Sequence, residues 1–380
     1  MRSDCVDSRD FAELEVELPH DDPGGPARVA LVPPDIVANP PAVFALIVEQ
    51  NAAAGAHVVF EFGHCRTNAG LTLRWVRRPN FSLGSRYNPE GMEQILPDEL
   101  KRLWAEVDGK RLSVDEFGSA HERLLGEYKA LWRDALILPR EPDLETSLLR
   151  EVAAYAGQSD LDEIRRRCQH ASETLKEQWD ATVDAGDHDS VERFYHASDV
   201  YVYELMWWHT LVDDVSPLAY VTALDFANRH RCRRYLDFGS GVGSGAILFA
   251  RHEYAIALAD ISAPLLAFSQ SRLARRGLSA RYIGLTHERL PAASFDIVTA
   301  MDVFEHLTEP EAVVDALADA IVPGGYLFGR FHADPDPLRP QHIVLNFETT
   351  FRRLRERGFE EVWRDEWLWG HQVFQKGAGG

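Results

Sequence analysis

Between Tyr235 and Ala250 the chain reads Tyr-Leu-Asp-Phe-Gly-Ser-Gly-Val-Gly-Ser-Gly-Ala-Ile-Leu-Phe-Ala: an apolar run, a turn with glycine at every second position, and an apolar helix start. A buried strand that passes through such a turn into a helix is the opening of a βα unit of a mostly parallel sheet. Gly239, Gly241 and Gly243 lack the Cβ that would clash in a tight turn, so a ligand can lie against bare peptide at the helix N-terminus. The turn reads as a nucleotide cradle. Which nucleotide is not decided by glycine spacing. Read from Gly239, G-x-G-x-x-G fails because Ser244 stands at the third glycine, and from Gly241 it passes only in the relaxed form ending at Ala246. A P-loop is excluded, since no Gly-Lys-Ser/Thr follows.

The segments that follow narrow the choice. Tyr254 to Asp260 reads as a second apolar strand with a carboxylate at its carboxyl end, followed by Ile261 and by Ser262-Ala-Pro264, a helix start. Asp260 is placed to accept from a ribose hydroxyl pair; the alternative is a helix cap, a task Ser262 can perform. Leu290-Pro291, then Phe295-Asp-Ile-Val-Thr-Ala-Met301-Asp302-Val-Phe-Glu305-His306-Leu307, then Ile321-Val-Pro-Gly-Gly325 follow in order. Together with Asp237-x-Gly239-x-Gly241-x-Gly243 they resemble the class I S-adenosylmethionine-dependent methyltransferases, over roughly residues 216–376.

The resemblance implies a doubly wound, mostly parallel α/β sheet with an antiparallel last strand, and S-adenosyl-L-methionine as cofactor. It implies that Asp237, Gly239, Ser240 and Gly241 meet the methionyl part, that Gly243 supports the turn, that Asp260 and Ile261 meet ribose and adenine, and that Met301 and Asp302 lie beside the sulfonium. One position departs. Where many members carry an acid for the adenine amine, this chain has Thr286, leaving its hydroxyl or backbone as substitute.

The remaining composition bounds the partners. The 380 residues suit two or more domains, 45% hydrophobic and 26% charged residues suit a soluble globular protein, and a formal charge of −20 disfavours nucleic acid. No apolar run is long enough for a membrane span and the first residues lack a signal-peptide core, so the cytosol is the expected address. The four cysteines at 5, 65, 168 and 232 are isolated and expect to be reduced thiols. Neither H-x-x-x-H nor a carboxylate cluster calls for a metal.

Three regions are expected. Residues 1–90 carry Pro and Gly punctuation with short strands near 57–62 and 71–76, and with 43–50 as either helix or strand. Residues 91–213 are mainly α-helical, with helices over 92–107, 114–136, 143–156, 160–183 and 190–212, serving as a cap over the cofactor pocket or as a homodimer surface. Residues 214–376 form the S-adenosylmethionine-binding domain. The last helix of the cap is crowded with aromatics, which makes it a buried element and either core or the wall of a small-molecule site; Tyr203 and Trp207 are the expected substrate contacts, with His209.

Methyl transfer asks a protein mainly to align and desolvate, with a base where the acceptor must lose a proton. His306 and Glu305, just past the fourth strand, and His209, His332 and His342 from flanking segments are candidate bases. For His306 a structural or cofactor-shell role is the alternative. The implied activity is methyl transfer to O, C or N of a small molecule such as a specialised metabolite. The competing readings are an NAD(P)-dependent oxidoreductase, which leaves residues 295–307 and the Pro-Gly-Gly turn unexplained, and a non-catalytic S-adenosylmethionine-binding protein.

Overall fold

The computed structural model describes residues 94–211, 216–331 and 339–378, together with the backbone of five short strands nearer the N-terminus. The chain divides into two units, Met1–Pro89 and Glu90–Gly380. In the first, β1 (Ala27–Leu31), β2 (Phe44–Val48), β3 (Val58–Glu61), β4 (His64–Thr67) and β5 (Thr72–Val76) form an antiparallel sheet in the order β1-β2-β5-β4-β3. The ambiguous apolar run at 43–50 is thus a strand. The linker expected between two strands contributes a third, β4, which pairs with both β3 and β5.

The second unit opens with helices. They are α1 (Leu96–Asp108), α2 (Val114–Leu136), α3 (Leu144–Tyr155), α4 (Leu161–Gln169), α5 (Ala171–Thr182), α6 (His188–Ala197) and α7 (Val200–Met206), and α7 runs directly into a π turn at Trp207–Leu211. Side-chain caps start several of them: Ser113 and Glu116 form a capping box, and Asp143, Asp160 and Asp187 each accept from a backbone N–H of the first turn. Two helices expected to be continuous are broken. The span 160–183 turns at His170 (φ −97°, ψ 8°), and 190–212 is interrupted at Ser198, which is extended (φ −73°, ψ 117°), and again by the π turn. Apolar periodicity runs across such joints because both halves face one core, so the pattern conceals them.

After α8 (Ser216–Arg229) come β6 (Arg234–Phe238), α9 (Ser244–Arg251), β7 (Ala255–Asp260), α10 (Ala263–Arg275), β8 (Arg281–Gly284), β9 (Phe295–Ala300), α11 (Pro310–Ala320), β10 (Ile321–Gly329), α12 (Glu348–Glu356), β11 (Phe359–Arg364) and β12 (Gln372–Lys376). Their sheet runs β11-β12-β10-β9-β6-β7-β8, parallel except where β12 inserts antiparallel between β10 and β11. The fold expected for 214–376 is the fold observed. Central strands are buried on both faces, as β7 shows with Ile256 to Asp260 all buried, which is why they read as unbroken apolar runs. Strand order reverses between β6 and β9, the switch point at whose carboxyl edge open α/β sheets bind ligands.

The boundary expected at 213 does not separate two bodies, because the helices share polar and apolar contacts with the sheet region. Trp132 Nε1 donates to the Thr210 carbonyl (2.8 Å), Tyr128 donates to Asp225 (3.0 Å), and the buried Glu151 pairs with Arg276 (3.0 Å from Nη2). Among the described residues no helix is long and apolar enough to cross a membrane.

Candidate functional site

The glycine turn is shaped from beneath. Asp237, the last buried acid of β6, accepts from Thr299 (3.1 Å), Tyr220 (3.2 Å) and the Ala246 N–H (3.1 Å), so it ties β9, α8 and the first turn of α9 to one carboxylate. Burial pushes its pKa up to about 7 against those donors. All its bonds run into the fold, and it does not line the cavity. Gly239 and Gly241 hold positive φ (66° and 51°). A Cβ on Gly239 would come 2.5 Å from Val303 Cγ2, and one on Gly241 2.8 Å from Leu205 Cδ1, so the residue type is set by both conformation and space. Gly243, at φ 73°, caps α9 behind the turn and does not line the cavity either.

Asp260, at the end of β7, closes the turn. One carboxylate oxygen accepts from Gly241 N–H and the other from Ser262 N–H, both at 2.8 Å. Burial raises its pKa to about 6, opposed by these backbone donors. Ser262 caps α10 by accepting from Leu265 N–H (3.4 Å), so the cap does not use up Asp260.

Above the turn opens a cavity of about 680 Å³. Of the residues the sequence singled out, Gly239, Ser240, Gly241, Asp260, Ile261, Met301, Asp302, Glu305, His306, His209 and His342 all line it. Asp237, Gly243, Thr286, Tyr203 and Trp207 do not. Thr286 faces the Ile261 carbonyl (3.4 Å) outside the cavity, while its neighbours Leu285, Glu288 and Arg289 form that wall. Tyr203 turns away to lie under the Arg167 guanidinium (4.1 Å). The aromatic wall consists instead of Tyr195, Tyr201 and Tyr220, with Tyr195 and Tyr201 stacked at 5.6 Å. No sequence signal separated Tyr195 and Tyr201 from their neighbours, because breaks at Ser198 and Trp207 reset which helical face points inward. His332 lies outside the described residues.

Two charge systems meet at the far end. His209, on the π turn, sits with Nε2 3.5 Å from Glu204 and Nδ1 3.9 Å from Asp302, whose other oxygen accepts from Arg330 (3.1 Å). Burial opposes a charge on His209, but the two carboxylates outweigh it and raise its pKa to about 9. It is therefore a cation near neutral pH and cannot take up a proton. Asp302 itself sits in the left-handed region (φ 49°), a conformation that its short polar side chain tolerates better than most.

His306 is different. Its Nδ1 is 3.0 Å from the Gln341 carbonyl and 3.0 Å from Tyr195 Oη, which lies 3.2 Å from the same carbonyl. A carbonyl at that distance requires Nδ1 to carry the hydrogen, which assigns the lone pair to Nε2. Burial lowers the pKa of His306 below its ordinary value, so the ring is neutral at pH 7. Glu305 is buried, and burial together with the Asp302 charge pushes it up to about 8; Oε2 has no hydrogen-bond partner. Glu305 is thus an acid here, a donor rather than a base. Ligand atoms of Glu305, His306 and His342 lie within 4.8 Å of one another. No spacing in the sequence announces this cluster, since His342 arrives from a separate loop.

The Glu204–His209 pair has a pH signature. A histidine raised from 6.5 to about 9 contributes stability that is fully present below about pH 6.5 and is lost as pH rises through about 9. Urea titrations at pH 6.5 and 9.5 should show a loss on the order of 2 kcal/mol in the wild type and a smaller loss in Glu204→Gln. Equal losses in both proteins would remove the pair as the cause.

Residues 236–329 match the family model described as a methyltransferase domain. A ubiquinone biosynthesis O-methyltransferase from Cronobacter sakazakii is 28% identical over 130 residues, 32% of this chain and 54% of its own length. One from Chromobacterium violaceum is 31% identical over 133 residues, 32% of this chain and 56% of its own. The chain thus spans about half the length of these curated relatives. A solved S-adenosylmethionine dependent methyltransferase from Mesorhizobium loti aligns with TM-score 0.31 and 15% identity over 38% of this chain and 91% of that one. The fit of the cofactor can be judged on the turn itself: Gly239, Ser240 and Gly241 line the cavity, and the buried Ser240 Oγ has no partner among the described residues. From the strand order, the turn and the matched segment together, residues 236–329 form a methyltransferase domain.

Proposed function

We propose that this protein transfers a methyl group from S-adenosylmethionine to a hydroxyl of a small molecule, with a planar specialised metabolite as acceptor. The observation that carries the reading is the single cavity running from the glycine turn and Asp260 to the neutral His306, walled by tyrosines. The relatives named as O-methyltransferases favour oxygen among the acceptor atoms.

When bound, the cofactor supplies an electrophilic methyl on a sulfonium. Asp260, preoriented by two backbone donors, would accept from the ribose hydroxyls, and the Gly239–Gly241 backbone with Ser240 Oγ would receive the amino acid part. Ile261 and Leu285 would flank the adenine in place of a contact from Thr286. The backbone at Met301 and Asp302 borders the reacting end. Tyr195 and Tyr201 would hold the face of the acceptor, a role the sequence reading gave to Tyr203 and Trp207. His306 Nε2 would take the acceptor proton, while the Gln341 carbonyl stabilises the imidazolium through Nδ1–H. Of the five candidate bases, His332 lies outside the described residues, His209 and Glu305 are set aside by their protonation, and His342 packs edge-on to His306 at 4.8 Å as its neighbour. The helices of residues 94–211 exclude water from this end.

The test has two stages. Calorimetry should show binding of S-adenosylhomocysteine and none of NAD(P). Incubation with S-adenosylmethionine and a panel of hydroxylated aromatics should then release S-adenosylhomocysteine. Binding without release from any acceptor would make the chain a binding protein; binding of NAD(P) alone would overturn the reading.

A further inference from the structure

The turn and the acceptor wall are joined by a buried line of hydrogen bonds that no part of the function above uses. Arg272 of α10 is fully buried, and its Nη1 donates to the Val242 carbonyl and to Ser244 Oγ, each at 2.7 Å. Ser244 Oγ lies 2.9 Å from Thr210 Oγ1, and Thr210 Oγ1 donates to the Leu205 carbonyl at 2.8 Å. Since the Thr210 proton is committed to that carbonyl, the proton between the two hydroxyls belongs to Ser244. The line therefore has one direction, from Arg272 through Ser244 and Thr210 to Leu205.

Its two ends are fixed from outside. At the start, Arg272 Nε lies 3.5 Å from the buried carboxylate of Glu151 on α3. At the finish, the acceptor is a carbonyl five residues back, the spacing of a π turn, and Trp132 holds the Thr210 carbonyl. That π turn carries His209 into the cavity. A second contact links the same partners: the bare Cα of Gly241 rests against Leu205, so a Cβ there would meet Leu205 Cδ1 at 2.8 Å.

We propose that Arg272 is a positioning residue and that the Arg272–Ser244–Thr210 line couples the glycine turn to the π turn, so that filling the donor site orders the wall bearing His209. The donor half of this statement rests on the functional reading above; the mechanical half does not. Polar atoms buried in such a line hold a single arrangement, because any displacement leaves one of them unsatisfied.

Hydrogen–deuterium exchange with calorimetry tests both halves. Thr210→Val keeps the volume and removes the hydroxyl, Ser244→Ala removes the middle link, and Arg272→Lys keeps the charge but not the paired donors. In the free protein, Thr210→Val should speed exchange at 239–245, a segment it does not belong to. With S-adenosylhomocysteine, the wild type should gain protection at both 239–245 and 205–211, whereas the variant should gain it only at 239–245 and bind about fivefold more weakly, as the loss of one hydrogen bond predicts. Should Thr210→Val fail to fold, Ser244→Ala carries the same expectations. Unchanged exchange at 239–245 in the free variant, or protection of 205–211 that survives the substitution, would overturn the coupling. A wild type that binds no S-adenosylhomocysteine yet shows the cross-segment change in the free variant would overturn the functional reading and leave the coupling standing.

Discussion

His306→Gln should lower kcat by about 10²- to 10⁴-fold, the usual contribution of a positioned general base, while leaving S-adenosylhomocysteine affinity within about twofold. The size follows from the arrangement around the ring. The Gln341 carbonyl fixes Nδ1 as the donor, Tyr195 packs and bonds beside it, and burial holds the pKa of the ring low. Glutamine preserves the volume but offers no basic nitrogen. Because burial lowers the His306 pKa, kcat/KM for the acceptor at saturating donor should rise with pH through a limb below about 6.5 and then level, and that limb should vanish in the variant. Tyr195→Phe should shift the limb while retaining most of the rate, since it removes one neighbour and not the base. A His306→Gln enzyme within about threefold of wild-type kcat would leave alignment alone as the source of catalysis, with His306 a structural residue.

Asp260→Ala should weaken S-adenosylhomocysteine binding by about 10- to 100-fold, equivalent to losing two charge-assisted hydrogen bonds. The carboxylate does two things at once. It faces the cavity, where it would accept from ribose, and it holds Gly241 N–H and Ser262 N–H, which sets the turn and the start of α10. Asp260→Asn should weaken both roles in part, since its amide oxygen can keep one backbone donor while its NH2 faces the other. Affinity should also fall as pH drops through about 6, where the carboxyl becomes protonated and turns from acceptor to donor. Calorimetry from pH 5 to 8 reads this directly. Wild-type affinity retained by Asp260→Ala would remove the ribose assignment, and circular dichroism would show whether the fold had survived the change.

How much of this was legible beforehand differs along the chain for physical reasons. The glycine turn, the Asp260 strand end and the Phe295 to Leu307 segment each encode backbone geometry in residue type: a left-handed φ needs glycine, a strand buried on both faces needs an apolar run, and a strand's end shows where that run stops. Asp237 was expected to meet the methionyl part, but its carboxylate is turned into the fold by Thr299 and Tyr220, residues from β9 and α8. The antiparallel β12 was recognisable from a family pattern, whereas its insertion between β10 and β11 is a fact of pairing.

The acceptor end is where local reading stopped. Tyr203 and Trp207 stood on an aromatic segment that periodicity presented as one helix, and a break at Ser198 with a π turn at Trp207 rotated Tyr195, Tyr201 and His209 inward instead. Protonation was equally out of reach: His209 becomes a cation and Glu305 a neutral acid only because Glu204, Asp302 and burial surround them in space. What the sequence determined by itself is the parallel sheet and the glycine turn at its carboxyl edge, because local geometry and apolar patterning are properties of contiguous residues. What only the tertiary structure decided is which side chains face the acceptor and in what charge state, because both depend on the field and packing of residues distant in the chain.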